Sequence, residues 1–428
     1  MANQAIIEQL DLNDLLYLQS TDASVSLNKQ LRKFYPEKTT FQNNEKIMFR
    51  LHGRQFIDMK NSSLRFKVRF TGSNVRAGRK DVGESPIAGS GSILNIFSRS
   101  RCISSTGKCI SDVDNHNMLQ RMSARLYRGE NHSSVMGGVY GLNGADGNMD
   151  NWSDGVLYEF VVPMRMVNPF WNNSQLLPPQ IAENLQVELF LENLVRCGVV
   201  DGTLTKYEVL NPELIADVYL VSPSIDSAVA SMSNERMVYE YEDFVQIEST
   251  MSIDSGDLNL PLTYPLSNAL EAFVTIRKVS VANVATADSF DTVPIGMGGS
   301  GGRAVSDNDQ LVWRIGQLQL PQARMLGGPQ IYNMLLNGRG QLECNKNTDF
   351  QIKRSNFDDA GNSGKSWALY FANLRRSNLF NNSGREVSNQ QSLVAEIKIA
   401  TPSNNIVDMF CKYVGRIVIN DNFLTVES

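Results

Sequence analysis

The sequence predicts an all-β protein made of two antiparallel sandwiches in tandem, with a few short helical insertions. Three observations lead to this prediction. Apolar and polar residues alternate with a period of two in many segments, which is typical of strands with one buried face. Asn, Asp, Gly and Ser separate these segments, as in turns. The rhythm of strands restarts near the middle of the 428 residues, after a small and polar stretch at 223–236. Many short strands with polar connections favour sandwiches over alternating strands and helices.

The clearest strands lie in the first half of the chain. Apolar and basic residues alternate without a fault in Leu64–Phe70, which predicts one face in a core and one in water. Leu185–Glu192 alternates in the same way with its acidic residues outside, apart from Phe190. Further strand candidates are Lys46–Leu51, Val156–Met164, Ile215–Leu220, Ala272–Val279, Val312–Leu320, Leu393–Ile399 and Met409–Ile419.

Helices are predicted at three places. Residues 3–18 carry an apolar stripe formed by Ile6, Ile7, Leu10, Leu15 and Leu18. Ser92 is a candidate cap for a short helix that ends near Phe97. A third helix is expected from Ser111 to about Arg125, with Asp112 and Asp114 as acids in its first turn.

These elements divide the chain into four parts. We expect an N-terminal arm with an amphipathic segment at 1–40, a first sandwich at 41–222, a linker at 223–236 and a second sandwich at 237–428. Two domains of about 200 residues each are long enough to bury separate cores.

Composition excludes several classes of protein. The net charge of −5 argues against attraction of nucleic acid to the whole surface, although a local basic face is still allowed. No apolar run approaches the roughly 20 residues of a spanning helix, and no secretory signal is visible, so we expect a soluble protein made inside a cell. The five cysteines lack paired spacing, which predicts reduced and mostly buried thiols.

Two glycine motifs resemble nucleotide-binding loops but fail in context. Residues 296–301 match GxGxxG, yet no buried strand precedes them and no helix follows. Residues 361–366 resemble the end of a phosphate-binding loop, but Asp359 stands where a glycine is needed and a strand-like segment follows. We interpret both as surface loops.

The polar clusters give no assignable catalytic, cofactor-binding or metal-binding residue. Asp112, Asp114 and His116 lack the glycine and glutamate of a calcium loop, so helix-capping acids and a surface histidine are the preferred interpretation. Glu240, Glu242 and Asp243 alternate around tyrosines, which favours a solvated strand face over a pair of catalytic carboxyls.

Basic residues cluster in three places in the first half of the chain. Such clusters can bind phosphate or an acidic partner without reading sequence, but an ordinary solvated face is the preferred interpretation of each. They are Lys29, Arg32, Lys33 and Lys38, then Arg65, Lys67 and Arg69, then Arg76, Arg79 and Lys80.

Particular segments resemble the double jelly-roll major capsid proteins of double-stranded DNA viruses, most nearly those of virophages and polinton-like viruses. The resemblance covers most of the chain as patterns of residue type. In the first half it rests on FQNNEKIMFRL, SLRFKVRF, SILNIFSR with RCISSTGK, and NPFWNNSQLLPPQIAENLQVELFLE. In the second half it rests on VWRIGQLQLPQARMLGGPQIYNMLLNG and MFCKYVGRIVINDNFLTV.

The resemblance implies two tandem eight-stranded antiparallel jelly rolls and a structural role without enzymatic activity or cofactor. In that family three chains form a pseudo-hexameric capsomer, and capsomers tile an icosahedral shell around double-stranded DNA. The implied partners are the chain itself as a homotrimer, neighbouring capsomers, penton and minor or cement proteins, and non-specifically DNA or an internal membrane. Loops at 141–155 and 284–310 are candidates for the outer towers. The implied location is the virion capsid.

Two other functions remain open at this stage. One is a carbohydrate-binding or hydrolytic β-sandwich protein, for which Trp152, Trp171, Trp313 and Trp367 are available and only Trp152 has an exposed context. The other is a minor virion protein such as a penton or spike base, although pentons are usually built from one roll.

Overall fold

The protein is mostly β, and its strands form two sandwiches in chain order. The computed structural model describes residues 28–72, 75–76, 93–127, 154–196, 199–200, 204–220, 227, 229, 231, 236–252, 254, 256–279, 310–326, 328–338, 369–376, 384–388, 391–398, 404–420 and 423–427. Within these ranges no helix is long and apolar enough to cross a membrane.

The first sandwich has two facing sheets. Its strands are β1 (Asn28–Phe34), β2 (Thr40–Gln42), β3 (Lys46–Arg50), β4 (Phe56–Gly72), β5 (Val75–Arg76), β6 (Phe97–Ile103), β7 (Cys109–Val113), β8 (Leu157–Pro163), β9 (Gln186–Leu191), β10 (Val199–Val200) and β11 (Leu204–Leu220). The large sheet has the strand order β1-β11-β4-β8 with β2 beside β11, the small sheet has the order β3-β9-β6-β7, and β5 pairs with β10.

Short helices connect these strands. They are η1 (Ile93–Ile96), α1 (His116–Tyr127), α2 (Met164–Val167), η2 (Pro169–Trp171) and α3 (Pro179–Ala182). The helix predicted near Ser92 is therefore a single 3₁₀ turn, because Phe97 already begins β6.

The second sandwich repeats the same order of strands. Its strands are β12 (Met237–Met251), β13 (Asp257–Pro261), β14 (Leu266–Lys278), β15 (Gln310–Ile315), β16 (Leu318–Leu326), β17 (Tyr370–Asn373), β18 (Arg385–Val387), β19 (Leu393–Lys398), β20 (Asn405–Asn420) and β21 (Phe423–Glu427). The large sheet has the order β12-β20-β14-β17, with β18 beside β14 and β21 beside β20, and the small sheet has the order β13-β19-β15-β16. The helix α4 (Gly328–Gly338) follows β16.

The alternation in β4 has the predicted consequence for burial. Leu64, Phe66, Val68 and Phe70 are all buried in the first core, while the basic residues between them are partly exposed. Each buried apolar side chain stabilises the sandwich by about 1.5–3 kcal/mol. This pattern of period two therefore positions the large sheet over its core.

One predicted strand is in fact a hairpin. The segment Val312–Leu320 divides into β15 and β16, which pair with each other in antiparallel register. Gly316 lies at the turn with φ +57°, a left-handed conformation that glycine adopts without steric cost. Ile315 and Leu318 flank the turn three positions apart, so the alternation changes phase there, and the prediction passed over this change.

The prediction that the acids of the β9 segment face water was wrong. Glu188 and Glu192 are buried. Lys46 Nζ lies 2.6 Å from Glu188 Oε1, and Asn117 Nδ2 donates to Glu192 Oε2 at 2.7 Å. These partners satisfy carboxylates that would otherwise be costly to bury. Neighbouring elements cover this face of the strand. The alternation of residues along one strand contains no information about such a cover.

The first sandwich begins earlier than the sequence predicted. Asn28–Phe34 pairs with β11 in a regular antiparallel register, so this part of the predicted arm at 1–40 belongs to the large sheet. The predicted helix at 3–18 lies outside the described residues. In the predicted linker, Val229 is buried in the first core, and the second sandwich starts with β12 at Met237.

Candidate functional site: the seam between the two sandwiches

The helix α1 lies within the first sandwich in sequence, between β7 and β8, but packs into the core of the second. Met118, Met122 and Leu126 are buried in the same hydrophobic cluster as Phe273 and Phe410 of the second large sheet. We call this contact region, formed by β7 and α1 against β12, β14 and β20, the seam.

The start of α1 faces the first sandwich with buried polar groups. His116 Nε2 lies 3.2 Å from the carbonyl oxygen of Met166, and burial lowers the pKa of His116 to about 4. This ring is therefore neutral at pH 7. The prediction of a surface histidine was wrong, because α1 begins between the two sandwiches.

The acids before α1 are not helix caps either. Asp112 lies in β7, where Arg99 and Arg101 approach its Oδ2 at 2.6 and 3.3 Å. Asp114 Oδ1 lies 3.0 Å from Arg99 Nε. The predicted helix from Ser111 therefore starts five residues later, since the first part of the segment pairs in the small sheet.

The second sandwich in turn contributes to the core of the first. Met237, Tyr239 and Tyr241 of β12 belong to the first hydrophobic cluster. Tyr241 packs edge to face on Phe170 at 5.1 Å between ring centroids, and its hydroxyl donates to the carbonyl of Ile110 at 2.7 Å. Each sandwich therefore completes the core of the other.

A glycine in β20 makes room for this tyrosine. A Cβ added at Gly415 would lie 2.6 Å from Cζ of Tyr241, far closer than van der Waals contact. The two residues are register partners in the β12–β20 pair. Gly415 therefore allows the aromatic ring to lie flat across the strand.

Asp243 is a buried carboxyl group inside the seam. Ser111 Oγ of the first sandwich donates to its Oδ1 at 3.0 Å, and the hydroxyl of Tyr413 donates to its Oδ2 at 3.4 Å. The pKa of Asp243 is raised to about 7, chiefly by burial and to a smaller extent by the negative charge of Asp112. No cation lies within salt-bridge distance of this group among the described residues, so ionisation leaves a buried charge without an ion partner.

The sequence analysis assigned Asp243 to a solvated strand face, and that was wrong. The sequence did contain a signal for the burial of Asp243. Tyr239, Tyr241 and Asp243 are spaced two positions apart, so all three side chains lie on one face of β12. Glu240 and Glu242 point the other way and pair with Arg416 and Lys412.

The seam contains a second buried ionic group, formed by Arg277 and Asp408. Arg277 Nε donates to Asp408 Oδ2 at 2.8 Å, and Arg277 Nη2 lies 3.5 Å from Glu248. Asn115 of the first sandwich donates to Glu248 at 2.9 Å and to Asp408 at 3.4 Å. Burial raises the pKa of Asp408 to about 6 although Arg277 opposes the shift, so the carboxylate is still ionised at pH 7.

The end of α1 carries a further polar link. The hydroxyl of Tyr127 donates to Glu271 Oε2 at 2.7 Å, and Arg375 Nη2 donates to Oε1 of the same carboxylate at 3.0 Å. Lys412 lies over the ring of Tyr127 at 5.5 Å from its centroid and pairs with Glu242 at 2.7 Å. Polar groups along α1 thus fix its position on the second large sheet.

The outer face of the first large sheet carries five of the ten basic residues that the sequence analysis singled out, namely Lys29, Lys33, Arg65, Lys67 and Arg69. Each has an acidic partner on a neighbouring strand of the sheet. The pairs are Lys29–Asp217 at 2.8 Å, Lys33–Glu213 at 2.9 Å, Arg65–Glu159 at 2.8 Å and Arg69–Glu208 at 2.6 Å. Because acidic neighbours already neutralise these basic residues, the arrangement favours an ordinary solvated face over a phosphate-binding surface. The Arg79–Lys80 loop lies outside the described residues.

The described residues include only some of the other predicted features. Trp171 and Trp313 are fully buried, as their strand and core contexts predicted. Cys102 and Cys411 are buried free thiols, while Cys109 is exposed. Trp152, Trp367, both glycine motifs and most of the predicted tower loops at 141–155 and 284–310 lie outside the described residues. Within the described ranges, no three His, Cys, Asp or Glu side chains come together as a metal site.

Solved structures of viral capsid proteins share this architecture. A chain of the PBCV-1 virus capsid matches with a TM-score of 0.60 at 10% identity, over 95% of this chain and 98% of that one. The Faustovirus major capsid protein matches with a TM-score of 0.59 at 9% identity, over 93% and 92%. A chain from the structure of the Sputnik virophage matches with a TM-score of 0.55 at 12% identity, over 94% and 88%.

The similarity is one of fold. No protein-family model matches the sequence, and no curated protein matches it. The chain has the double jelly-roll fold found in viral major capsid proteins, which confirms the predicted fold class of two tandem jelly rolls.

Proposed function

We propose that the chain is a non-enzymatic major capsid protein of an icosahedral double-stranded DNA virus. The observation that carries this proposal is the double jelly-roll likeness to capsid chains, which spans 95% of this chain and 98% of the PBCV-1 chain. In the proposed role, three copies form a pseudo-hexameric capsomer from six similar sandwiches, and capsomers tile a shell around the genome.

The seam supports this role because it makes the two sandwiches one rigid block. Buried apolar residues are exchanged in both directions between the sandwiches. Tight packing resists deformation, so the two sandwiches keep a constant orientation. A building block that tiles a regular shell needs such a constant shape.

The proposed partners follow from the same role. Copies of the chain contact one another within and between capsomers, and penton and minor or cement proteins complete the shell. The packaged DNA or an internal membrane meets the inner surface without sequence-specific contacts. The protein is then located in the virion capsid after synthesis in the host cell.

The first test is the mass of the purified protein in solution. Light scattering coupled to gel filtration is expected to give a stable particle of about three times 47.7 kDa, with hexagonal outlines in negative stain. A monomer at every accessible concentration would contradict the proposal.

The two open alternatives gain no specific support. Trp171 and Trp313 are fully buried and cannot form an exposed carbohydrate platform. Two complete sandwiches in one chain also favour a major shell protein over a penton built from one roll. A glycan array is the direct check on the carbohydrate-binding alternative.

A further inference from the structure

One end of the second sandwich carries a cleft that is separate from the seam. The cleft has a volume of about 490 Å³. Its wall is formed by the turn between β15 and β16, by the chain after β17 and by the segment from β18 to β19. These three segments contribute Gln317, Arg376, Arg385 and Gln391 to the lining. The cleft therefore gathers polar side chains from distant parts of the second half of the sequence.

The register of the large sheet brings the two arginines together. Both β17 and β18 pair with β14, in which Glu271 lies opposite Asn373 and Ala269 lies opposite Arg385. These two pairs are only two positions apart along β14, a distance of about 7 Å. Arg376 follows Asn373 by three residues, so both arginines come from one short stretch of the same sheet edge.

Hydrogen bonds to β14 fix the chain directly before each arginine. The backbone N–H of Leu374 donates to the carbonyl of Leu270 at 2.9 Å. The backbone N–H of Gly384 donates to Oδ1 of Asn268 at 2.6 Å. The backbone of the cleft is therefore organised before a ligand arrives, which lowers the entropic cost of binding.

The two arginines of the cleft differ from others in the same sandwich in having no acidic partner among the described residues. Arg314, Arg375 and Arg416 each lie within 3.0 Å of a carboxylate oxygen. Arg376 is exposed and Arg385 is half-buried, and Nε of Arg385 is shielded from water without a hydrogen-bond partner. A buried donor of this kind requires an acceptor, because leaving it unpaired is costly. The cleft thus combines two positive charges with a missing acceptor.

Phosphate is the anion that this combination fits. The planar guanidinium group donates to phosphate oxygens in pairs. A phosphate group has enough oxygens to accept from two guanidinium groups at once, whereas a carboxylate has only two oxygens. The side-chain amides of Gln317 and Gln391 line the same cleft and are further donors. Glu386 also lines the cleft, and its negative charge opposes the binding of an anion.

We propose that this cleft is a binding site for a phosphate group, held between Arg376 and Arg385. The group is either free phosphate or a phosphodiester of a nucleic acid, since both present the same oxygens to the guanidinium groups. The site belongs to a single chain and does not depend on the capsid role. Because the cleft is open to water, binding weakens as the salt concentration rises.

Titration calorimetry of the full chain with sodium phosphate tests the site. We expect saturable binding that sodium chloride at equal ionic strength does not produce. Arg376→Gln and Arg385→Gln should each weaken the binding about tenfold or more, the usual effect of losing hydrogen bonds to a charged group. Arg416→Gln is the matched control and should bind as wild type does, because Glu240 already neutralises Arg416.

Glu386→Gln gives a second measurement that does not depend on a loss of binding. Removal of this negative charge should strengthen phosphate binding by up to about fivefold, the range of exposed ionic interactions. Circular dichroism shows whether each variant is folded. If Arg385→Gln does not fold, the opposite effects of Arg376→Gln and Glu386→Gln decide the question.

A short, labelled single-stranded oligodeoxynucleotide distinguishes the two sources of phosphate. Binding that free phosphate displaces, and that both arginine variants weaken, assigns the site to a nucleic-acid backbone. Phosphate binding without oligonucleotide binding assigns it to free phosphate. Equal responses to phosphate and chloride, or unchanged binding in the double variant Arg376→Gln with Arg385→Gln, would overturn the site. The capsid proposal is tested separately, by the mass of the wild-type protein in solution.

Discussion

At the scale of single residues, the seam contains a carboxyl group that titrates near neutral pH. Asp243 is held by Ser111 from one sandwich and Tyr413 from the other. Its other titratable neighbours are Asp112, Tyr241, Cys102 and Cys109. The protonated acid satisfies both hydroxyl groups without placing a charge in the seam. Its protonation state therefore influences how firmly the two sandwiches are joined.

The raised pKa of Asp243 predicts a specific dependence of stability on pH. The folded protein retains this proton up to about pH 7, whereas the unfolded chain releases it near pH 4. The contribution of this proton to the free energy of unfolding is therefore complete below about pH 4 and is lost as pH rises to about 7. A pKa difference of about 3 corresponds to at most about 4 kcal/mol.

Asp243→Asn should remove this dependence, because the amide resembles the protonated acid. We expect the free energy of unfolding of the variant, relative to wild type, to increase between pH 5 and pH 8 in denaturant titrations. Glu240→Gln, on the other face of β12, is the control and should show no such trend. A constant difference between Asp243→Asn and wild type across this range would contradict the prediction.

At the scale of elements, the decisive feature is the helix α1. The chain connects it to strands of the first sandwich, but it stabilises the second. The residues of α1 lie between β7 and β8, yet Met122 belongs to the second core. Burial of such a side chain explains why a helix of 12 residues holds its place, since isolated helices of this length are marginal in water.

Shortening Met122 tests the role of this helix. Met122→Ala is expected to destabilise the protein by about 2–5 kcal/mol, the usual cost of removing a large buried side chain and leaving a cavity. Ser123→Ala, one residue later on a less buried side, should change stability by less than about 0.5 kcal/mol. Chemical denaturation measures both, and equal effects would argue against α1 as a core element of the seam.

At the scale of the whole molecule, the exchange of side chains couples the two sandwiches. Chains with separate domains commonly unfold in steps, because few contacts cross between the domains. Here β12 completes the first core and α1 completes the second, so loss of either sandwich exposes apolar surface on the other.

We therefore expect a single cooperative unfolding transition in calorimetry. Trp171→Phe in the first core and Trp313→Phe in the second should each lower the temperature of that one transition, since both rings are fully buried. Two resolved transitions, each sensitive to only one of the two substitutions, would show that the sandwiches unfold independently.

The fold class was predictable because one face of most strands is apolar. Alternation in Leu64–Phe70 and the restart after the midpoint were enough to predict two sandwiches. The short turn at Gly316 was not recognised in this way, because apolar residues resume directly after it. The seam was hidden for another reason. Asp243 and His116 are both polar, and a reading of the local sequence places polar residues in contact with water.

What the sequence determined by itself is which face of each strand is apolar, and hence two cores in tandem. What only the tertiary structure decided is what covers the other faces. A period of two distinguishes the two sides of a strand but contains no information about a helix or sheet that arrives from elsewhere in the chain. The second large sheet is covered by α1 and the first is open among the described residues, although both have charged outer faces. That difference depends on contacts between residues more than 100 positions apart, such as Tyr127 and Glu271.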